Sequence, residues 1–289
     1  MKNEHKGIIL ILSSAFCFAV MAASVKAVPS IPLGEKIFFR NIFGVFLMGY
    51  ALYKDTSKIK FTNKQLLLLR SVLGFSGVAG YYYSLSKLPL SDAVLLNKLS
   101  PFFVIIFSLL FLKEKITKMQ IYALIVALLG ASLIIKPEFG FLLIPSIIGF
   151  TASAFAGGAY TVIRQLRLYA HPDLIVFTFC LFSTIASIPI IIFSGFVIPS
   201  GKELFFLILI GISATSAQIL MTHGYKYAPA SRLAIYGYVN IIFSVIFAII
   251  FWSEYPDLLT TVGGILILFG GFINYFSNNN IKFRKNKSS

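Results

Sequence analysis

Apolar residues fill this chain in long runs, and charged residues, prolines and glycines separate one run from the next. A helix that crosses a bilayer needs about 20 mainly apolar residues, because the hydrocarbon layer is about 30 Å thick and each residue rises about 1.5 Å. The runs match that length, and the short connections leave no room for a soluble domain. The pattern predicts ten transmembrane helices, at residues 7–27, 34–53, 64–86, 91–112, 118–135, 143–165, 174–194, 203–226, 231–252 and 258–276.

Composition supports the same class of protein. Hydrophobic residues make up 58% of the chain and charged residues only 12%, and the mean hydropathy is +0.88. A soluble core of this size cannot bury so much apolar surface. The sequence therefore predicts an integral protein of the cytoplasmic membrane.

The charges refine this picture. The chain has 25 Lys and Arg against 10 Asp and Glu, a net charge of +15. Nucleic acid would be one partner for such a charge, but the positions of the cations favour a membrane. With the amino terminus in the cytoplasm, most Lys and Arg lie at the cytoplasmic ends of the predicted helices, as the positive-inside rule requires. We therefore expect both termini in the cytoplasm, with 279–289 as a basic tail facing anionic lipid and no nucleic-acid partner.

Eight residues of the first half recur 140 positions later. They are Pro89, Ser91, Phe103, Ile106, Phe107, Phe111, Glu114 and Gly130, which recur as Pro229, Ser231, Phe243, Ile246, Phe247, Phe251, Glu254 and Gly270. The shared spacing of proline, glutamate and glycine predicts a duplication, with five-helix units at 1–138 and 139–278. Five crossings are an odd number, so the second unit enters from the opposite face. The predicted fold is all-α, with ten helices as a 5+5 inverted repeat that can take two states.

Lys98 is the main candidate for substrate binding. Ionisable side chains are costly within a bilayer, so each needs a partner or a function. Lys98, next to Asn97 in the fourth predicted helix, is placed to hold an anionic group of a substrate. Snorkelling to the surface, pairing with Glu35, or a bond to a neighbouring carbonyl remains open. Of three successive tyrosines, Tyr82 or Tyr83 is expected to face the same cavity.

Polar residues of the second half are expected to complete that cavity, although ordinary hydrogen bonding between helices needs the same residue types. They are Tyr160, Gln218, Tyr238 and Asn240. Glu35 and Arg40 are expected to form a structural ion pair, and Arg70 to mark a helix end. Structural roles at helix ends are also expected for Pro89, Glu114, Pro229 and Glu254.

Motifs for other functions are missing from the sequence. It has no H-E-x-x-H, no G-x-S-x-G and no cluster of Cys, His and carboxylates at metal-ligand spacing. The sequence therefore predicts no enzyme, no bound metal and no cofactor. Acidic residues fall near the ends of predicted helices, which favours facilitated transport or exchange over a carboxylate proton relay.

Several segments together resemble the drug/metabolite transporter superfamily, in its EamA branch. They are EKIFFR at 35–40, LRSVLG at 69–74, YYSLSKLPLSDA at 82–93, FLKEK at 111–115 and FWSE at 251–254. The resemblance implies a ten-helix inverted-repeat carrier that moves metabolites, often outward, through a cavity between the repeats. The third and fourth helices are similar to those of S-adenosylmethionine carriers and related solute carriers. Lys98 departs from the apolar residue expected in the S-adenosylmethionine type.

The predicted function is a secondary transporter, an exporter or exchanger of amino acids or organic anions, in which two five-helix units rock against each other. The alternatives are an S-adenosylmethionine-type carrier, a channel, or a membrane protein that does not transport, such as a lipid-handling or sensory scaffold. The expected partners are a small-molecule substrate and membrane lipid, and the sequence leaves a homodimer open.

Overall fold

A computed structural model describes residues 2–59, 62–113, 116–135, 142–166, 169–227 and 234–286. Within these ranges the chain is helical, with short connections and no strand. The helices are α1 Lys2–Ala27, α2 Leu33–Lys54, α3 Lys64–Lys87, α4 Leu90–Asn97, α5 Ser100–Leu112, α6 Lys118–Ile135, α7 Leu143–Leu166, α8 Pro172–Ser194, α9 Gly201–Tyr227, α10 Val239–Trp252 and α11 Leu258–Asn286.

Each of the ten predicted spans has its counterpart, and one of them is broken. The fourth span comprises α4 and α5, which are separated by Lys98 and Leu99. Pro101 lies in the first turn of α5, where its missing N–H removes no helical hydrogen bond. Among the described residues, seven segments are long and apolar enough to cross a membrane, and a shorter apolar helix spans Tyr236–Trp252. The protein is therefore a multi-pass membrane protein.

The two halves end their helices at matching places. Helices α2, α3 and α5 end at Lys54, Lys87 and Leu112, and α8, α9 and α10 end 140 residues later at Ser194, Tyr227 and Trp252. The residues after α5 and α10, Lys113 and Ser253, have φ of 52° and 53°. Such left-handed values are uncommon for residues other than glycine, and no other non-glycine residue of the described ranges has them.

Helices of one half pack mainly on helices of the other. The most extensive pairs are α1 with α9, α3 with α7, α2 with α8, and α6 with α11. Glycines bring one of these pairs very close, since a Cβ at Gly130 would lie 2.6 Å from the carbonyl oxygen of Gly263. The two halves are thus interleaved. Rocking of two five-helix units against each other stays a prediction.

One end of the bundle is tied by a set of polar contacts around Lys26 and Glu254. The Lys26 ammonium lies 2.7 Å from the Glu254 carboxylate and donates to the carbonyl of Leu88. The same carboxylate accepts from the backbone N–H of Leu90 at 3.0 Å. These contacts join the end of α1, the α3–α4 turn and the residues after α10. Pro89, in that turn, precedes the first residue of α4.

A second set of charges lies in the loop after α2. Lys58 is 3.1 Å from the carboxylate of Asp173 and 3.7 Å from that of Asp55. Its hydrogen bond to Asp173 raises the pKa of the Lys58 ammonium. This loop is thereby connected to the start of α8.

Two structural assignments need correction. Glu35 is buried and accepts from the backbone N–H of Val197 at 2.9 Å, so it does not pair with Arg40. Arg70 is only 4% exposed and lies inside the bundle, so it does not mark a helix end. Two others, Glu114 and Pro229, lie outside the described residues.

Candidate functional site

A small cavity of about 20 Å³ lies between α2, α8 and α9. Most of its wall is apolar, and the polar groups come from a few side chains. It is lined by Arg40, Asn41, Gly44, Met48, Val176, Phe179, Cys180, Ala214, Thr215, Gln218 and Ile219. In this conformation the cavity has room for about one water molecule and is too small for a substrate, so its interest lies in the side chains that line it.

The side chains of Arg40 and Arg70 both pack against the ring of Phe179, which lines this cavity. The Arg70 guanidinium carbon lies 3.8 Å from the ring centroid and that of Arg40 lies 5.5 Å from it. Such contacts between a cation and an aromatic face are favourable. Gly74, one helical turn after Arg70, makes room for this arrangement. A Cβ there would lie 2.7 Å from Nη1 of Arg70 and 2.9 Å from Cε2 of Phe179.

Several donors around this ring lack an acceptor. Nε of Arg40, Nε and Nη1 of Arg70 and the hydroxyl of Tyr82 are buried without a hydrogen-bond partner. Arg40 donates through Nη1 to Oδ1 of Asn41 at 2.9 Å. In the part of the chain that the structure describes, neither arginine forms an ion pair. Unpaired buried cations are costly, so the arrangement is suited to receive an anionic group.

Helical periodicity explains how α2 and α3 place these groups. Residues four apart lie on one face of a helix, so Lys36 and Arg40 share a face of α2, and Tyr82 and Ser86 share a face of α3. Lys36 is 2% exposed and donates to the hydroxyl of Ser86 at 3.1 Å. Tyr82 is fully buried and lies next to Arg40. The two faces therefore form a polar stripe inside the bundle.

Lys98 lies away from the arginines, at the break between α4 and α5. Its ammonium donates to the carbonyl of Gly237 at 3.1 Å. Gly237 belongs to the 3₁₀ turn Ala234–Tyr238, which precedes α10, and Asn97 is the last residue of α4. Of the alternatives for Lys98, the bond to a carbonyl is the one observed. Lys98 thus connects the break between α4 and α5 to the 3₁₀ turn that precedes α10.

The other candidate residues fall into two places. Tyr160 lies near Arg70, and Gln218 lines the cavity, so both are close to the arginines. The ring of Tyr238 packs against Gly271, and the amide of Asn240 donates to the carbonyl of Ala15 in α1 at 2.9 Å. Tyr83 is half-buried. The structure thus places Tyr82 beside Arg40 and Gln218 in the cavity wall, with Tyr160, which is 44% exposed, on the side of Arg70. Lys98, Asn97, Tyr238 and Asn240 lie elsewhere.

The sequence did not identify as binding residues either Arg40, which lines the cavity, or Arg70, which packs on Phe179 in its wall. Arg40 and Arg70 were expected to be structural, and Phe179 was not singled out. One signal was available for Arg70, since it follows four successive leucines, 66–69, within a predicted span. An arginine at this position lies inside the apolar layer, where a charged side chain is costly and therefore suggests a functional role. Within the described ranges, no group of His, Cys, Asp and Glu is arranged to hold a metal ion.

Known proteins resemble this chain over nearly its full length. A sequence profile of the EamA-like transporter family matches it over residues 5–136 and 143–276. A pseudopaline exporter of Pseudomonas aeruginosa is 36% identical over 265 residues, covering 91% of this chain and 93% of the exporter. An S-adenosylmethionine uptake transporter of Rickettsia felis is 24% identical, covering 94% and 95%. One solved crystal structure shares the fold, with a TM-score of 0.61 at 20% identity, covering 94% of this chain and 96% of that one.

Proposed function

The chain belongs to the EamA-like transporter family, and we propose that it is a secondary carrier that exports or exchanges small anionic metabolites across the cell membrane. The family and the names of the relatives make it a membrane transporter and not an enzyme. Similarity to an exporter over most of both chains supports the outward direction.

The observation that carries the proposal is the pair of arginines at the cavity. Their guanidinium groups lie on one aromatic ring, with buried donors that no acceptor occupies. A guanidinium binds a carboxylate through two parallel hydrogen bonds. Tyr82 and Gln218 supply further hydrogen-bonding groups, and Tyr160 lies beside Arg70. In this proposal, Lys98 and Tyr238 have structural roles through their contacts with Gly237 and Gly271, and they do not bind the substrate.

We further propose that the ten spans form a 5+5 inverted repeat, with both termini in the cytoplasm. The helix ends that recur at 140 residues and the two matches to the family profile support a duplication. The packing supports it as well. A shift by 140 residues converts the contact between α1 and α9 into that between α7 and α3. It likewise converts the contact between α1 and α10 into that between α7 and α5. All four contacts are present in the structure.

The same contacts suggest which parts move. Helices α1, α2, α9 and α10 pack on one another, as do α3, α5, α7 and α8. Exchanging the halves converts one group into the other, and the α2–α8 contact joins them. We propose that alternating access is a movement between these two groups, each of which mixes both halves. The cavity, lined by α2, α8 and α9, lies at this junction.

A second candidate function is transport of S-adenosylmethionine, which the similarity to the Rickettsia felis transporter supports. Its substrate carries a positive sulfonium group. Two cations without acidic partners at the cavity disfavour such a ligand, because like charges repel strongly where water is excluded. The anionic substrate is therefore the better fit.

Counterflow in proteoliposomes tests the proposal. Vesicles containing the full-length protein are loaded with one solute, and uptake of the same labelled solute from outside is measured. The panel contains amino acids, dicarboxylic acids and S-adenosylmethionine. We expect counterflow of at least one anionic solute. Exchange of S-adenosylmethionine alone would favour the second candidate, ionic conductance without counterflow would indicate a channel, and no flux of any solute would contradict transport.

A further inference from the structure

We propose that Arg40 and Arg70, which pack on the ring of Phe179, select substrates that carry two anionic groups, one for each arginine, joined by a linker of a few carbons. This inference rests on the proposed function and deepens it by naming the substrate class. It depends on three features of the described residues: the closeness of the two guanidinium groups, the absence of a protein carboxylate beside them, and the arrangement that holds them.

The first feature is distance. Both guanidinium carbons are measured from one ring centroid, at 3.8 Å for Arg70 and 5.5 Å for Arg40. The two cations are therefore no further apart than the sum of those distances. A single carboxylate bound to one of them leaves the other charge without compensation. Two carboxylates on a short linker can reach both.

The second feature is that the acidic residues of the protein are engaged elsewhere. Glu35 accepts from Val197, Glu254 pairs with Lys26, and Asp173 pairs with Lys58. Other acidic residues of the described chain accept hydrogen bonds in the same way: Asp55 from Ser57, Asp92 from Ser91 and Thr260, Glu203 from Ser30 and Ser200, and Asp257 from Thr260. Within the described chain, the charge of Arg40 and Arg70 is thus left for a ligand to balance.

The third feature is preorganisation. Phe179 packs against both guanidinium groups, Gly74 leaves the space that Arg70 occupies, and Asn41 holds Nη1 of Arg40. Asn41 is itself fixed by a bond from its amide to the carbonyl of Ile37 at 2.8 Å. The arginines therefore lose little freedom when a ligand binds, which favours affinity. The unpaired donors Nε of Arg40 and Nε and Nη1 of Arg70 remain for the two anionic groups.

Thermal unfolding of the purified full-length protein tests the inference, since a ligand that binds the folded state raises the unfolding temperature. The probes are succinate, glutarate and L-glutamate, each compared with its monoamide, so that the members of a pair differ by one charge and little in shape. We expect at least one dianion to reach its half-maximal shift at a concentration at least about tenfold lower than its amide, as expected for a bond to a charged group.

Three variants localise the effect. Arg40→Gln and Arg70→Gln should each abolish the preference for the dianion, and Phe179→Leu, which keeps both charges, should weaken it. The matched control is Lys54→Gln, which removes an exposed charge at the end of α2 and should retain the full preference. Gln is polar and smaller than Arg, so it fits the same space, and the unfolding transition of each variant without ligand checks that it folds.

The outcomes separate the inference from the function on which it rests. If no dianion is preferred to its amide in the wild type, or if the preference survives in both arginine variants, the two-anion site is overturned. Counterflow of the monoamides as fast as the dianions would also overturn it while leaving transport intact. Absence of counterflow for every solute would contradict the transport function itself.

Discussion

The two halves of this protein have matching helix ends and differ in interior chemistry. Helices α2, α3 and α5 end 140 residues before α8, α9 and α10, and α5 and α10 are each followed by a residue with left-handed φ. The cations of the cavity belong to the first half alone. Arg40 and Cys180 occupy matching positions and line the same cavity, whereas Arg70 corresponds to Ile210. On the proposed repeat, the helix positions follow the shared 140-residue spacing, and recognition depends on the positions at which the two halves differ.

The two halves therefore contribute different kinds of side chain to the proposed site. The first half supplies charge through Arg40 and Arg70, and the second half supplies shape through Phe179 and a neutral polar group in Gln218. A substrate is then held by ion pairs on one side and by packing on the other. The three predictions below change one half and use the other as the control.

The largest effect is expected from the matched positions at the cavity. Arg40→Gln removes a charge-assisted contact to the substrate and should lower kcat/KM for counterflow about 100-fold. Cys180→Ala changes the corresponding position of the second half and should lower it less than about threefold, since a buried thiol contributes mainly packing. Equal losses in the two variants would mean that the halves contribute equally to recognition.

A smaller effect is expected from the glycines that face the interior. In Gly74→Ala the new Cβ meets Nη1 of Arg70 and the ring of Phe179. Overpacking of this kind should destabilise the fold by about 1–3 kcal/mol and should also weaken binding of the dianion. Gly158→Ala in α7 is the control, because its Cβ would lie 3.3 Å from a side-chain methyl of Leu73. Thermal unfolding with and without ligand measures both effects. Unchanged binding in Gly74→Ala would show that the space at Gly74 does not matter for ligand binding.

The smallest effect is expected from Lys98, at the break between α4 and α5, and from Tyr238, in the 3₁₀ turn before α10. Lys98→Met removes the bond to Gly237 and should cost about 1 kcal/mol of stability, with the affinity for the dianion unchanged. Tyr238→Phe is the matched change in the second half, and it keeps the ring that packs against Gly271, so it should change little. A large loss of ligand affinity in Lys98→Met would show instead that Lys98 contributes to substrate binding.

The sequence was sufficient for the helices and insufficient for the site. Span lengths could be predicted because the thickness of the bilayer fixes them, and the 140-residue spacing is visible in the residues themselves. The break at Lys98 was not predicted, although Pro101 lies three residues beyond it. A proline in the first turn is compatible with a new helix or with a continuous one, so only the structure distinguishes them.

The cavity was missed for a different reason. Which face of α2 or α3 points inward depends on the packing of α2 on α8 and of α3 on α7, and these contacts join distant parts of the chain. An arginine near a predicted helix end is usually solvated, so Arg40 and Arg70 were assigned to structure. Lys98 was expected to bind substrate because a lone intramembrane lysine is conspicuous, yet it donates to the carbonyl of Gly237 in the 3₁₀ turn before α10.

A reversible crosslink across the α2–α8 contact tests the central claim, that substrate passes through the cavity at this junction. A Cβ at Gly44 would lie 2.6 Å from Sγ and 3.4 Å from Cβ of Cys180, close to disulfide geometry. In Gly44→Cys we expect oxidation to stop counterflow and reduction to restore it. The variant that also carries Cys180→Ala should not respond to oxidant. Full counterflow in protein shown by mass spectrometry to be crosslinked would contradict the account.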